Sequence, residues 1–296
     1  MTENRFHIID VFAEQRYTGN QLAVVEEAGS LSTDQMQLIA REFGYSETTF
    51  IESSDKTDGG YDVRIFTPKE EIPFAGHPTL GTTAVIREHI ALNTPEEITL
   101  NLAVGPISVT TTTAGEAEIL WMKQNPPEFQ DEFDPDTVAE VLGIEHEVVD
   151  EDFPVQSVST GLPTVIFPLE TRDVLEQISV DRAAYDKFVA GQEAKIILAF
   201  CPEPRDRAND FAVRVFAPYY GVPEDPATGS SNGCFAGYLT EHEYVDDTPI
   251  DVRVEQGYEI KRPSLLHLRA DRSADDMIVR VGGRAISVAV GRLLEE

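Results

Sequence analysis

The chain has 296 residues, 41% of them hydrophobic, with 53 acidic residues against 23 basic ones and a formal net charge of −30. A surface this acidic repels nucleic acid and anionic lipid, so neither is an expected partner. The longest apolar runs, such as "IILAFC" from Ile196 to Cys201, are too short to span a bilayer, and "MTENRFHIID" has neither the basic region nor the apolar core of a signal peptide, so a cytoplasmic protein without a membrane segment is expected. The acids are dispersed and only six of the bases are lysines. That pattern resembles halophile cytoplasmic proteins, in which salt screens the self-repulsion. Cys201 and Cys234 sit in apolar contexts, form no CxxC pair and complete no zinc pattern with His7, His77, His89, His146, His242 and His267. Neither a disulfide nor a metal site is expected.

In chain order, "HIIDVFA" and "LAVVE" read as strands. Ser32 or Thr33 then caps a helix that carries Met36, Ile39, Ala40 and Phe43 on one face and stops at Gly44. "TTFI", just after Glu47, starts an apolar strand, and "YDVRIFT" is another, ending at a proline. A helix follows in "TLGTTAVIREHI", where Leu80, Ala84, Val85 and Ile86 make it apolar over most of its circumference, so it belongs inside a core. "EITLNLAVGPISVTTTTA" and "AEILWMKQ" continue the strands, and the acidic, Pro-containing stretch after Trp121 is the expected linker. Asp134 and Pro135 start a helix running through Leu142 to Gly143. "TVIFPL", "AKIILAF" and "FAVRVFA" are strands; "GSSNGCFAGYLTEH" opens a second apolar helix; "DVRVEQG", "MIVRVGG" and "ISVAVGRLL" close the chain.

The chain repeats itself. Arg64-Ile65-Phe66-Thr67-Pro68 pairs with Arg214-Val215-Phe216-Ala217-Pro218, and Ile72-Pro73 with Val222-Pro223 at the same offset. After a one-residue gap Pro78-Thr79 pairs with Ala227-Thr228, and a weaker echo joins "GNQLAVV" from Gly19 to "GLPTVIF" from Gly161. Two copies of one unit are expected, spanning residues 1–120 and 121–284. The expected fold class is α+β: two pseudo-symmetric domains, each a curved, mostly antiparallel sheet around a central helix.

In both copies the turn delivers a helix N-terminus, whose first N–H groups lack internal partners and carry the positive end of the dipole. In "ATGSSNG" the residues there are small, and Thr228, Ser230 and Ser231 add hydroxyls, a combination that suits a carboxylate or other small anion. The same small residues also suit plain helix–sheet packing. His77 follows Gly76 at one entrance, Asp225 precedes the other, and Glu47 stands before a strand. If the domains face each other across a cleft, these three can perform general acid–base chemistry without metal or cofactor. Glu47 also fits a solvated strand end. No GxGxxG or Walker A sequence marks a nucleotide site.

On "DVFAEQRYTGNQLAVV", "SETTFI", "RIFTPKEEIPFAGHPTLG" and "DFAVRVFAPYYGVPEDPATGS", the sequence resembles the phenazine-biosynthesis PhzF-like family of the diaminopimelate-epimerase-like superfamily. The resemblance covers nearly the whole chain. It implies a last strand, in residues 285–296, that returns to the first domain, and a homodimer as a common state. It also implies a cofactor-independent isomerase acting on a small anionic metabolite in the interdomain cleft. By motif, Glu47 moves the proton, His77 relays it or polarises the substrate, and Asp225 hydrogen-bonds a substrate amino or hydroxyl group. Gly76, Gly229 and Ser230, with Thr228, hold the carboxylate, and Asn20 lies near. Epimerase relatives carry two catalytic cysteines at the helix entrances; Gly76 and Asp225 stand there in this chain. Arg16-Tyr17 and Asn20-Gln21 depart from the family's usual Pro-Phe and Asn-Pro, and Ser231-Asn232 from its frequent Ala-His. The alternatives are lyase or hydrolase chemistry in the same cleft, or a non-catalytic protein that binds an anionic metabolite.

The charge reading has a direct test. The melting temperature should rise between dilute buffer and molar KCl; a flat or falling melting temperature across that range rejects the halophilic reading.

Overall fold

Period-two alternation of β-branched residues makes strands along most of the chain, and in the computed structural model these strands fall into two units. The structure describes residues 4–115, 117–145, 149–150, 152–246, 249–272 and 276–294; His146 lies outside them. The first unit holds the residues up to Met122 together with those from Gly282 onward, and the second spans Lys123–Val281. No helix among the described residues is long and apolar enough to cross a membrane.

In the first unit, β1 (Arg5–Val11) lies antiparallel to β2 (Asn20–Val25), and β2 runs parallel to β3 (Thr48–Ile51). β3 is antiparallel to β4 (Tyr61–Phe66), which pairs with the short β5 (Glu71–Ile72) and runs parallel to β6 (Glu97–Leu102). β7 (Gly105–Ala114) and β8 (Ala117–Lys123) extend the sheet as antiparallel hairpins. On one face lies α1 (Thr33–Phe43), started by a capping box between Ser32 and Gln35 and ended by Gly44 in the left-handed region, as its sequence predicts. Met36 and Ala40 of α1 are buried with Val25, Phe50 and Phe66. The central helix α2 (Gly76–Val85) continues into a π-helical turn at Ile86–Ile90. It touches β1, β2, β3, β6 and β7, so it is buried on most sides, and its buried threonines are hydrogen-bonded, Thr82 to Thr49 and Thr79 and Thr83 to carbonyls one turn back.

The second unit repeats this plan. β9 (Glu128–Glu132) pairs antiparallel with β10 (Gln156–Ser159), and β10 with β11 (Thr164–Pro168). β11 is parallel to β12 (Ile196–Cys201), β12 antiparallel to β13 (Phe211–Ala217), and β13 pairs with β14 (Val222–Asp225) and runs parallel to β15 (Ile250–Gln256). β16 (Ser264–Arg272) is antiparallel to β15, and β17 (Met277–Gly283) follows. Three helices, α3 (Pro135–Leu142), α4 (Arg172–Gln177) and α5 (Arg182–Val189), cover an apolar cluster that includes Phe167, Leu175, Tyr185 and Phe216. The central helix α6 (Gly229–Glu241) contacts β10, β11, β12 and β16. The last strand, β18 (Ala285–Arg292), pairs antiparallel with β1. It gives β1 the neighbour that β9 gives β10.

The structure corrects the register of the repeat. Arg64 Nε and Nη2 hold Glu71 Oε1 and Oε2 at 2.7 and 2.6 Å. Arg214 holds Glu224 with the same atoms at 3.0 and 2.7 Å. Glu71 therefore corresponds to Glu224, and Ile72-Pro73 to Asp225-Pro226 rather than to Val222-Pro223. Both central helices begin five residues later, at Gly76 and Gly229, so Pro78-Thr79 corresponds to Ser231-Asn232 rather than to Ala227-Thr228. The second unit has three more residues here because a 3-10 turn at Pro218–Tyr220 replaces the tight Thr67–Glu70 turn. The echo of Gly19 with Gly161 stands: Leu22 faces Ile9 as Thr164 faces Val158.

Close approach of α2 to its sheet depends on Gly81, where a Cβ would sit 2.6 Å from Leu22 Cδ2 and 2.8 Å from Val11 Cγ2. Gly81→Val should destabilise the fold by about 1–3 kcal/mol, read as a melting temperature several degrees lower. An unchanged melting temperature rules out this packing.

Candidate active site

The first entrance is built by β2, β3 and α2. Glu47 ends the loop into β3, and His77 occupies the second position of α2. Parallel pairing sets Thr48 beside Ala23 of β2, so Glu47 lies on the side of β2 that leads back to its first residue, Asn20. His77 Nε2 lies 3.4 Å from Glu47 Oε2, with side chains 8% and 17% exposed. Burial pushes the His77 imidazole down to about 3, and a hydrogen bond to the Gln21 backbone opposes the shift. A bond that favours the protonated ring is donated by the ring. Nε2 has no hydrogen-bond partner among the described residues, so the donor is Nδ1–H and the acceptor is the Gln21 carbonyl. In the neutral ring Nε2 then carries the lone pair, and that lone pair faces Glu47. A single proton between Oε2 and Nε2 turns the contact into a hydrogen bond. Gly76 forms the mouth of α2, whose N-cap, Ala75, offers no side-chain cap.

The second entrance is polar in a different way. Asp225 ends β14 and Thr228 is the N-cap of α6. The Thr228 side chain does not cap the helix; Oγ1–H donates instead to Asp225 Oδ2 at 2.5 Å. Gln256, the last residue of β15, sits behind them. Its Oε1 accepts from the Thr228 backbone N–H at 3.2 Å and from Asn232 Nδ2 at 2.9 Å. Its Nε2 donates to the Asp225 carbonyl at 2.8 Å and to Thr228 Oγ1 at 3.1 Å. Asn232 Nδ2 also donates to the Thr228 carbonyl at 3.0 Å. With no acid and no side-chain cap in its first turn, α6 presents the amides of Gly229 and Ser230 at its positive end, as an anion requires.

Strand register equates residues across the units. Thr48 faces Phe66 as Ile197 faces Phe216, so Ile196 occupies the place of Glu47, and Ser230 that of His77. Tyr61 faces Leu100 as Phe211 faces Val254, so Leu102 occupies the place of Gln256. Ile72, Ala75 and Thr79 occupy the places of Asp225, Thr228 and Asn232. The Glu47–His77 contact belongs to the first unit alone and the Gln256–Thr228–Asp225 network to the second alone. Glu47, His77, Gly76 and Asn20 thus group in one unit, and Asp225, Thr228, Gly229 and Ser230 in the other. The sequence reading missed Gln256 and the role of Asn232; the signal was available in "EIPFAG" against "EDPATG", which aligns Glu71 with Glu224 and Gly76 with Gly229.

Other features lie apart from these entrances. A cavity of about 230 Å³ is lined by the Arg64–Glu71 bridge, Glu52, Asp62 and Asn101 and contains none of the expected site residues. Cys201 and Cys234 are buried free thiols. Burial pushes Cys201 up to about 11 and Cys234 upward as well, so neither supplies a ready thiolate. Among the described residues no group of three or more His, Cys, Asp or Glu side chains is placed to hold a metal ion.

The sequence profile of the phenazine biosynthesis-like protein family matches residues 9–291. A protein of Mesorhizobium japonicum named an uncharacterized isomerase is 33% identical, the match covering 99% of each chain. The trans-2,3-dihydro-3-hydroxyanthranilate isomerase of Pseudomonas aeruginosa is 31% identical over 98% of this chain and 99% of its own. The crystal structure of a Bacillus anthracis phenazine biosynthesis protein of the PhzF family superposes with a TM-score of 0.90 at 27% identity, covering 100% of both chains.

Burial of neutral imidazoles makes the fold sensitive to acid. Burial lowers His77 to about 3 and, with repulsion from Arg253, His267 to about 4. The unfolded chain binds protons at these rings near pH 6.5, so unfolding takes up protons below that pH. Unfolding free energy at constant ionic strength should decline as the pH falls from 6.5 toward 4, and His77→Asn should flatten part of the slope. A profile level between pH 7 and pH 5 contradicts the buried neutral rings.

Proposed function

The chain belongs to the phenazine biosynthesis-like family, and on that premise we propose that it is a cofactor-independent isomerase of a small carboxylate-bearing metabolite, with Glu47 as the general acid–base group. The observation that carries the proposal is the Glu47–His77 contact at the mouth of α2, 3.4 Å across and nearly closed to solvent. Ionised Glu47 takes a proton from a substrate C–H group whose electrons delocalise into an adjoining double bond. The proton rests on Glu47 Oε2, hydrogen-bonded to the neutral His77 Nε2. Glu47 then returns it to a second carbon, and the double bond moves. No atom is gained or lost, as an isomerisation requires. Asp225 accepts a hydrogen bond from a substrate amino or hydroxyl group. The uncapped amides of Gly229 and Ser230 receive the carboxylate; Thr228, expected beside them as a donor, has its N–H committed to Gln256 and its hydroxyl to Asp225 and shapes the turn instead. Gly76 and Asn20 complete the first entrance.

The Pseudomonas aeruginosa relative's substrate is the first compound to test, followed by a panel of small unsaturated carboxylic acids. In heavy water the wild-type protein should return a product of unchanged formula apart from deuterium at defined carbons. Glu47→Gln should slow that exchange on the order of 100- to 10,000-fold while still binding the acid. Near-wild-type exchange by Glu47→Gln removes Glu47 from the mechanism; loss or gain of water in the product points to lyase or hydrolase chemistry instead.

A further inference from the structure

Four hydrogen bonds converge on the Gln256 side chain, and all four partners belong to the turn that begins α6 or to its first turn. Gln256 is 1% exposed and Asn232 is fully buried. The amide of Gln256 has one orientation. Its oxygen must face the Thr228 backbone N–H, which can only donate, and its nitrogen the Asp225 carbonyl, which can only accept. That orientation decides the direction of the next bond. Gln256 Nε2–H points at Thr228 Oγ1, so the hydroxyl proton is turned away from Gln256 and toward Asp225 Oδ2. The chain of donors runs Gln256 to Thr228 to Asp225 and ends on a carboxylate held as an acceptor.

The first unit shows that the fold does not need this network. It builds the same strand, turn and helix with Ile72, Ala75, Thr79 and Leu102 in the places of Asp225, Thr228, Asn232 and Gln256. Three of the four positions are apolar there, and the fourth, Thr79, keeps only the bond to the N-cap carbonyl, its Oγ1 donating to Ala75 at 2.8 Å; the Arg64–Glu71 bridge closes the turn without a clamp. Gly257 marks the same specialisation. Its φ of +79° is in the left-handed region, and a Cβ would lie 2.6 Å from the Pro226 carbonyl oxygen. The end of β15 is thus pressed against the turn that carries Asp225.

We infer that Gln256 is a positioning residue for the substrate-facing carboxylate of Asp225, acting through the Thr228 hydroxyl, with Asn232 locking the far side of the same amide. The inference deepens the isomerase reading and rests on it for its kinetic consequence; the clamp itself has a separate readout. Because Asp225 holds substrate and does not move the proton, loss of the clamp weakens binding more than turnover.

Two variants test it. Gln256→Leu installs the residue that the first unit carries. Gln256→Glu keeps size and the acceptor to Thr228 N–H and Asn232, and replaces the donor to Thr228 Oγ1 by an acceptor, so the hydroxyl turns away from Asp225. On an acid that the wild type isomerises, both should raise KM tenfold or more with kcat within threefold. Adding Thr228→Val to either should change KM by less than threefold further, because both changes act through one hydroxyl. Thr228→Ser should keep wild-type KM. Unchanged KM in Gln256→Glu, or effects that multiply in the double variants, overturn the inference. Backbone amide exchange at Thr228, measured without any ligand, should accelerate at least tenfold in Gln256→Leu, and unchanged exchange there overturns the clamp whatever the kinetics. Accelerated exchange in a protein that isomerises no acid sinks the isomerase reading and leaves the clamp in place.

Discussion

A two-pronged bridge from arginine to glutamate decides where each central helix begins. Arg64 and Arg214 stand at equivalent places in β4 and β13, and each grips a glutamate on the returning strand with both side-chain arms. In the second unit the bridge is nearly sealed, with Arg214 and Glu224 side chains 8% and 10% exposed. Arg214 also donates to the Leu175 and Ile178 carbonyls at the end of α4. Removing one partner of so buried a pair typically costs about 3–5 kcal/mol. The bridge therefore overrides the length of the turn before it: three additional residues loop out, and the helix still starts five residues past the glutamate. Everything placed at the two helix mouths inherits its position from that fixed spacing.

Given two equivalent mouths, the chain has divided its chemistry between them. Where one unit carries Glu47 and His77, the other carries Ile196 and Ser230; where one carries Asp225, Thr228, Asn232 and Gln256, the other carries Ile72, Ala75, Thr79 and Leu102. Desolvation supplies the reason. A buried polar group is stabilised only when its partners are supplied with it, so the carboxylate–imidazole pair and the Gln256 network each require a complete local set. Placing both sets at both mouths would double the desolvation cost. The counterpart positions carry apolar or small side chains: Ile196 and Ser230 in one unit, Ile72, Ala75, Thr79 and Leu102 in the other.

Much of this was legible in the sequence, for reasons that differ by residue. The strands follow from alternation, α1 from Ser32 and Gly44, and α3 from Asp134-Pro135 and Gly143, because caps and period are local properties. The repeat was visible, but its register slipped by three residues at the turn. A hydrophobe-Pro pair recurs at constant offset by coincidence, whereas the true marker is a glutamate whose partner is seven residues away in one unit and ten in the other. Glu47 is an acid at a strand end, a place that equally suits a solvated residue, and the family resemblance is what assigned it the proton. The depressed imidazole of His77 depends on enclosure by elements distant in sequence. Gln256 reads as the unremarkable end of "DVRVEQG" until the strand register sets it opposite a leucine in the other unit.

The overall charge and the local chemistry act over different distances. A net charge of −30 repels an anion at long range, but at physiological ionic strength that field fades over roughly 8 Å. Helix-end amides act at contact, where screening by salt is weakest. On the proposed reading, recognition of a carboxylate would come from donors fixed close to the bound group rather than from the surface. Fixed donors need fixed scaffolding, and the two scaffolds differ in kind. At the mouth of α6 it is the amide of Gln256, satisfied on both its atoms; at the mouth of α2 it is the backbone bond from His77 to Gln21, which settles which nitrogen faces Glu47.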